Sequence, residues 1–204
     1  MGKGQTGEGE CPSDTRDGRP YSAACDRYRH ALRRNLFELR YALSERNAIN
    51  SLAACVPTSG WTFLTYVYIS LSNDMFAHSM KVLDTHPDSV SFWFLYRCHK
   101  EQLDVELAQA GLDLAEIRRL TASLKHVRDK THFHIDRNAV FDPTVVWQDA
   151  NITGDAFNRT VGGLWTALGT LYRQEHGTAF GQPLYGAEDI PAIVSALREK
   201  GISL

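Results

Sequence analysis

Leu124-Lys-His-Val-Arg-Asp-Lys-Thr-His-Phe-His-Ile-Asp-Arg137 is the stretch in which basic, acidic and imidazole side chains are most concentrated. Residues 118–137 hold six lysines or arginines and two aspartates, a formal charge of +4 in a chain whose total is −2. Three of the eight histidines, at positions 126, 132 and 134, also lie here. A local excess of positive charge concentrates anionic ligands such as phosphates. This stretch is therefore the first candidate for a functional site.

Two backbone geometries are possible for this stretch, and they predict different chemistry. In a strand, His132, His134 and Asp136 share one face, as the ligands of a metal site would. In a helix the same three side chains point in divergent directions. The preceding residues favour the helix, because their apolar positions recur every three or four residues and form one stripe: Ile117, Leu120, Leu124, Val127 and Thr131.

On that helix, Arg128 and His134 lie about 60° to either side of the buried stripe, so both lean over its edge. Arg128 and His132 are four residues apart and are neighbours on the helix surface. Phe133 projects from the polar side, which suggests that another element or a second subunit covers it.

Arg128, the polar Asp129 and then His134 resemble the Arg–(four to six residues)–His motif of the HEPN superfamily, the higher-eukaryote and prokaryote nucleotide-binding helical domains. The longer string RDKTHFHID is similar to the R-D-K-x-x-A-H-x-D form of its abortive-infection, AbiU-like branch. Phe133 departs from that form, which has a small residue at this position. The resemblance covers roughly residues 60 to 200 and implies a helical domain.

The resemblance also implies a function, that of a metal-independent endoribonuclease of the antiphage or toxin kind. Such proteins are usually homodimers whose two Arg–His motifs face each other across a cleft. RNA is the expected partner, no cofactor is expected, and an antitoxin or other partner protein is possible. The resemblance makes Arg128 and His134 catalytic. Five neighbours are expected to support them or to bind RNA: Lys125, Asp129, Lys130, His132 and Asp136.

The residues alone leave other interpretations open. Arg128, Asp129, His132 and Asp136 could form a surface charge network that contributes little, and His134 could be a histidine at the edge of the core. A non-catalytic HEPN-like module that binds RNA or nucleotide is the main alternative function. An interaction domain without a ligand is a third possibility.

The remaining pattern predicts one all-α domain, residues 20–204, behind a disordered tail, residues 1–19, that is rich in glycine. We expect an antiparallel bundle of about five long helices plus a short C-terminal one. The first four are expected at 21–48, 61–83, 89–110 and, for the motif helix, from a cap at Asp113 onward. The last two are expected at 155–175 and 189–200. Two extended pieces are expected at 139–141 and 144–147.

Polar residues of the first two helices give two further predictions. Six arginines of the first helix share its polar face with Glu38 and Glu45, which predicts a solvated face or, alternatively, a second phosphate-facing surface. Asn73 and Asp74 interrupt an apolar helix, so we expect them to make structural hydrogen bonds or to orient the motif helix.

The four cysteines have no metal-type spacing, and the N-terminus lacks an apolar run that would serve as a secretory signal. The longest apolar run, residues 61–71, is far shorter than the roughly 20 residues that span a bilayer. The sequence therefore predicts reduced thiols, a cytoplasmic location and no membrane association.

Overall fold

The computed structural model describes residues 23–55, 62–132, 144–180 and 185–201. Regular secondary structure in these ranges is helical throughout, which confirms the all-α prediction. The predicted tail at 1–19 and the predicted extended piece at 139–141 lie outside them. The helices are α1 (Ala23–Cys55), α2 (Thr62–Val82), α3 (Phe92–Cys98), α4 (Lys100–Gln109), α5 (Leu114–Val127), α6 (Thr144–Ala150), α7 (Gly154–His176) and α8 (Asp189–Glu199).

The two longest N-terminal helices, α1 and α2, form an antiparallel pair. Glu38 contacts His78 and Lys81 near the end of α2, whereas Glu45, two turns later on α1, contacts His78 and feels the charge of Asp74, which comes earlier in α2. The apolar stripe of α1 is buried as its spacing predicts, at Tyr28, Ala31, Leu32, Leu36, Leu39 and Leu43. None of the helices in the described ranges combines the length and apolar character needed to cross a membrane.

The predicted third helix, 89–110, is wrong as a single element. The chain leaves helical geometry at His99, where φ is −135° and ψ is 52°, and this residue separates α3 from α4. The ring of His99 packs on that of Tyr28, with centroids 4.2 Å apart. The first helical residue is Phe92 rather than Ser89, and Ser91, which precedes it, makes no side-chain capping bond.

The extended piece predicted at 144–147 is likewise wrong, because these residues begin α6. Val146 and Ala150, four residues apart, are both buried, and the Ser123 hydroxyl donates to the carbonyl of Ala150 at 2.7 Å. Packing against α5 therefore overrides the strand preference of two consecutive valines, since strand propensity depends strongly on context.

The motif helix α5 begins and packs as predicted. The Asp113 carboxylate accepts a hydrogen bond from the backbone N–H of Ala115 at 3.0 Å, a standard N-cap. Four of the five predicted stripe residues, Ile117, Leu120, Leu124 and Val127, are buried, while Thr131 is half-buried. This stripe packs against α2, α6 and α7, so the polar end of α5 lies beside the end of α2.

Two adjacent glycines of α7 have different surroundings. A Cβ added to Gly163 would lie 2.5 Å from Cγ of Leu112, in the turn before α5, whereas one added to Gly162 would meet nothing within 4 Å. Gly163 therefore allows the close approach of a neighbouring segment that compensates for its low helix propensity.

Candidate active site on the motif helix

The helix changes geometry where the motif begins. After Val127 the chain continues as a π-helical turn, Arg128–His132, and the Thr131 hydroxyl donates to the carbonyl of Val127 at 2.7 Å. A π turn closes its hydrogen bonds one residue later than an α turn, which shifts the direction of every side chain beyond it. The helical-wheel positions that the sequence predicts therefore hold only as far as Val127. Such turns occur frequently at functional sites.

Arg128 is the centre of the described part of the site. Its Nε donates to Oδ1 of Asp129 at 2.9 Å, and its Nη1 donates to Oδ1 of Asp84 at 3.1 Å. Lys125, one turn earlier, donates to the other oxygen of Asp129 at 2.6 Å. The predicted role of Asp129 in holding Arg128 thus corresponds to a direct contact.

The charges at this site balance. The hydrogen bond from Lys125 lowers the pKa of Asp129, with a further contribution from Arg128. Partial burial acts to lower the pKa of Arg128, but the hydrogen bonds and charges of Asp129 and Asp84 outweigh it and raise that pKa. Asp129 and Arg128 are therefore both ionised near neutral pH. Two cations face two anions, so the positive charge counted along the sequence is compensated locally at Arg128.

A small pocket lies between the end of α2 and the motif helix. Its apolar floor consists of Met80, Leu83 and Leu124. The polar part of the lining consists of Thr121, which is buried, and of four partly or fully exposed residues that form the rim: Asp84, Thr85, Lys125 and Arg128. With a cavity volume of about 10 Å³, this pocket has room for no more than a single water molecule.

Asp84 is the site residue that sequence reasoning missed. The two polar residues that the sequence indicated instead, Asn73 and Asp74, are exposed. No hydrogen bond joins either of them to the motif helix within the described residues. Asp84 follows the C-terminal end of α2 by two residues, at the start of the turn that leads to α3. The sequence signal that could have indicated Asp84 is an acidic residue in the turn after α2. Only the tertiary fold, however, brings this residue to Arg128.

The remaining predicted site residues are described in part. Lys125 is exposed and Lys130 is half-buried. His132 closes the π turn, with its side chain outside the described part of the structure, and Phe133, His134 and Asp136 lie wholly outside it. In the described ranges, no cluster of three or more histidines, cysteines and acidic residues is arranged to hold a metal ion.

A second polar cluster joins α1 to α2 and corrects the prediction of a solvated face at Glu38, although Arg27 and Arg33 of that face are exposed. Glu38 is buried, with its side chain only 4% exposed, and its carboxylate is bonded to His78 at 2.5 Å, to Lys81 at 3.3 Å and to Arg34. Burial alone would raise the pKa of Glu38, but the hydrogen bonds from His78 and Lys81 outweigh it and lower the pKa. This helix face therefore holds α1 against α2.

The arginines on the basic face of α1 differ in their surroundings. Arg29 lies 3.9 Å from Glu175 of α7, and Arg34 pairs with Glu38 within α1. The helices that pack most closely on α5 are α2, α6 and α7 rather than α1. Two of these arginines are therefore ion-paired, whereas Arg27 and Arg33 are exposed, and a phosphate-facing role for this face stays a prediction.

No family model, no curated protein and no solved structure matches this chain.

Proposed function

We propose that this protein is a metal-independent endoribonuclease of the antiphage or toxin kind, acting through Arg128 and His134. The observation that carries the proposal is the geometry of Arg128. Its guanidinium sits on a π turn at the mouth of a pocket, held by Asp84 and Asp129, with Nη2 unbonded among the described residues. A planar guanidinium that is held in place and still has unused N–H donors can bind the oxygens of a phosphodiester.

The proposed reaction is the internal transesterification of RNA. The 2′-oxygen attacks the adjacent phosphorus and loses its proton to a base, while the bond from phosphorus to the 5′-oxygen breaks and that oxygen gains a proton from an acid. His134 supplies one of these proton transfers, because an imidazole titrates near neutral pH. Arg128 stabilises the negative charge that grows on the phosphorus oxygens. The products end in a 2′,3′-cyclic phosphate and a 5′-hydroxyl.

A homodimer belongs to this proposal. One chain contributes one Arg–His pair, whereas the reaction needs both a base and an acid. Two motifs facing each other across a cleft supply two imidazoles, as the resemblance to HEPN proteins implies. Lys125, Lys130 and His132 then contact the RNA backbone beside the reacting phosphate.

The test is the chemistry of the RNA ends. Total RNA is incubated with the purified protein in EDTA, and the fragments are analysed for cyclic-phosphate termini. DNA of matched sequence serves as the control substrate, because it lacks the attacking hydroxyl. Cyclic-phosphate fragments from RNA and none from DNA support the proposal. Cleavage that requires an added divalent metal would refute it.

A second candidate function is a non-catalytic HEPN-like module that binds RNA or nucleotide. The contacts of the Arg128 guanidinium are consistent with this alternative, because both of its partners among the described residues are carboxylates and neither is a histidine. Under this alternative the protein retains RNA in a filter-binding assay without producing new ends.

A further inference from the structure

Side-chain hydrogen bonds hold the backbone of the turn that contains Asp84. The indole of Trp93 donates to the carbonyl of Leu83 at 3.2 Å, and the buried hydroxyl of Ser91 donates to the carbonyl of Asp84 at 2.6 Å. Asn35 of α1 also donates to the carbonyl of Val90 at 2.7 Å. These bonds use side chains of α1, of α3 and of the residue just before α3 to satisfy backbone carbonyls in a loop, so the backbone position of Asp84 is fixed by its surroundings.

The side chain of Asp84 is also held. Its Oδ1 accepts from the backbone N–H of His86 at 3.2 Å and from Nη1 of Arg128 at 3.1 Å. Both Asp84 and Arg128 have 26% of their side-chain surface exposed, so water screens this pair less than it screens a fully exposed one. An aspartate that bonds to its own turn presents its carboxylate in one direction.

Asp84 and Asp129 contact different edges of the same guanidinium. Asp129 accepts from Nε and belongs to the same helical segment as Arg128, whereas Asp84 accepts from Nη1 and lies 44 residues away. Arginine carries five N–H groups in one rigid plane. With acceptors on two edges, the guanidinium plane is fixed in both rotation and position. With a single acceptor, the plane would be free to pivot about that one hydrogen bond.

We infer that Asp84 is a positioning residue that holds Arg128 with its Nη2 edge turned toward the phosphate of RNA. This inference rests on the proposed function and adds a residue from a different part of the fold. The remaining donors, both hydrogens of Nη2 and one of Nη1, suit the oxygens of a single phosphate group. Asp84 itself does not touch the substrate. Its negative charge lies beside the bound phosphate, so its contribution is orientation rather than attraction.

The inference predicts different outcomes for two substitutions. Asp84→Asn keeps an oxygen that accepts from both His86 and Arg128, whereas Asp84→Ala removes it. A misplacement of about 1 Å in a catalytic group costs roughly 10²-fold in rate. We therefore expect Asp84→Ala to lower kcat about 100-fold with little change in KM. Asp84→Asn should restore the rate to within about tenfold of wild type.

Two further measurements separate positioning from a purely structural role. The thermal midpoint of Asp84→Ala should fall by no more than about 3 °C, as expected for a partly exposed ion pair. The side-chain Nε–H signal of Arg128 in nitrogen-15 NMR should report increased mobility in Asp84→Ala and wild-type order in Asp84→Asn. Asp88→Ala is the matched control, because Asp88 lies in the same turn with 92% of its side chain exposed.

The outcomes are distinguishable from those of the proposed function. An Arg128 signal that stays equally ordered in wild type and Asp84→Ala would overturn the inference, whether or not the protein cleaves RNA. Equal losses of activity in Asp84→Ala and Asp84→Asn would also overturn it, because the retained oxygen should rescue. If wild-type protein does not cleave RNA, the proposed function fails, and the NMR comparison alone then decides whether Asp84 positions Arg128.

Discussion

Glu45 should make the stability of the fold depend on pH in an unusual direction. Burial raises the pKa of this carboxyl from 4.5 to about 7, and the negative charges of Asp74 and Glu38 add to the effect while Lys81 opposes it. Its other neighbour is His78, whose Nε2 lies 3.6 Å from a Glu45 oxygen. The folded protein therefore holds a proton on Glu45 at pH values where the unfolded chain has released it.

The sign and size of the effect follow from proton linkage. Because the folded state binds more protons between pH 4.5 and about 7, the free energy of unfolding decreases as pH rises through that window. The contribution of Glu45 is fully present below pH 4.5 and lost above about pH 7. The two pKa values correspond to about 3 kcal/mol, an upper limit because water reaches 15% of the side chain.

The substitution Glu45→Gln tests this prediction, because its amide resembles the neutral carboxyl at every pH. Urea unfolding followed by circular dichroism should show stabilities for wild type and variant that differ by less than about 1 kcal/mol at pH 5. At pH 8 the variant should be more stable by up to about 3 kcal/mol. Glu38, whose pKa is lowered, loses its contribution as pH falls. That effect is present in both proteins and cancels in their difference.

An exposed glutamate of α8 provides the control. Glu199→Gln should leave the pH dependence of wild type unchanged, since Glu199 is exposed. Parallel stability curves for wild type and Glu45→Gln from pH 5 to pH 8 would refute the reasoning. That result would mean that water reaches Glu45 enough to restore its ordinary pKa.

Three other predictions concern packing, proton transfer and assembly. Gly162→Ala should stabilise α7 by up to about 1 kcal/mol. Gly163→Ala should destabilise the protein by about 1–3 kcal/mol, because the added methyl overlaps Leu112. Chemical denaturation measures both changes, and equal effects of the two substitutions would contradict the close packing of Leu112 on Gly163. His134→Asn should remove nearly all RNA cleavage, a loss of about 10² to 10⁴ in rate, and His132→Asn should reduce it moderately. The reverse order would assign proton transfer to His132. Light scattering at micromolar concentration should give the mass of a dimer, and a monomer would count against a two-motif cleft.

Local patterns predicted most of the helices, and tertiary packing decided where that prediction failed. The stripe of α5 and the cap at Asp113 depend on residues within one or two turns, so sequence spacing is sufficient for both. The break at His99 and the helical state of residues 144–150 depend on contacts with other helices. Val146 becomes helical because its burial against α5 outweighs its intrinsic preference.

The candidate site divides in the same way. Asp129 and Lys125 lie within four residues of Arg128, so helical periodicity anticipates their contacts. Asp84 reaches Arg128 across 44 residues, and no local pattern specifies that pairing. Glu38 was predicted to be exposed but is buried, because a glutamate held by His78 has the same sequence pattern as a solvated one. Sequence spacing does not predict ion pairs between residues that are far apart along the chain.

The central claim is that Arg128 acts in metal-independent cleavage of RNA, and a single-turnover rate in EDTA tests it most directly. Arg128→Ala should cleave at least about 100-fold more slowly than wild type, the usual effect of removing one group that stabilises transition-state charge. Arg27→Ala is the matched control, because it removes an exposed arginine from α1, and it should cleave at the wild-type rate. Equal rates for Arg128→Ala and Arg27→Ala would contradict the assignment of the site.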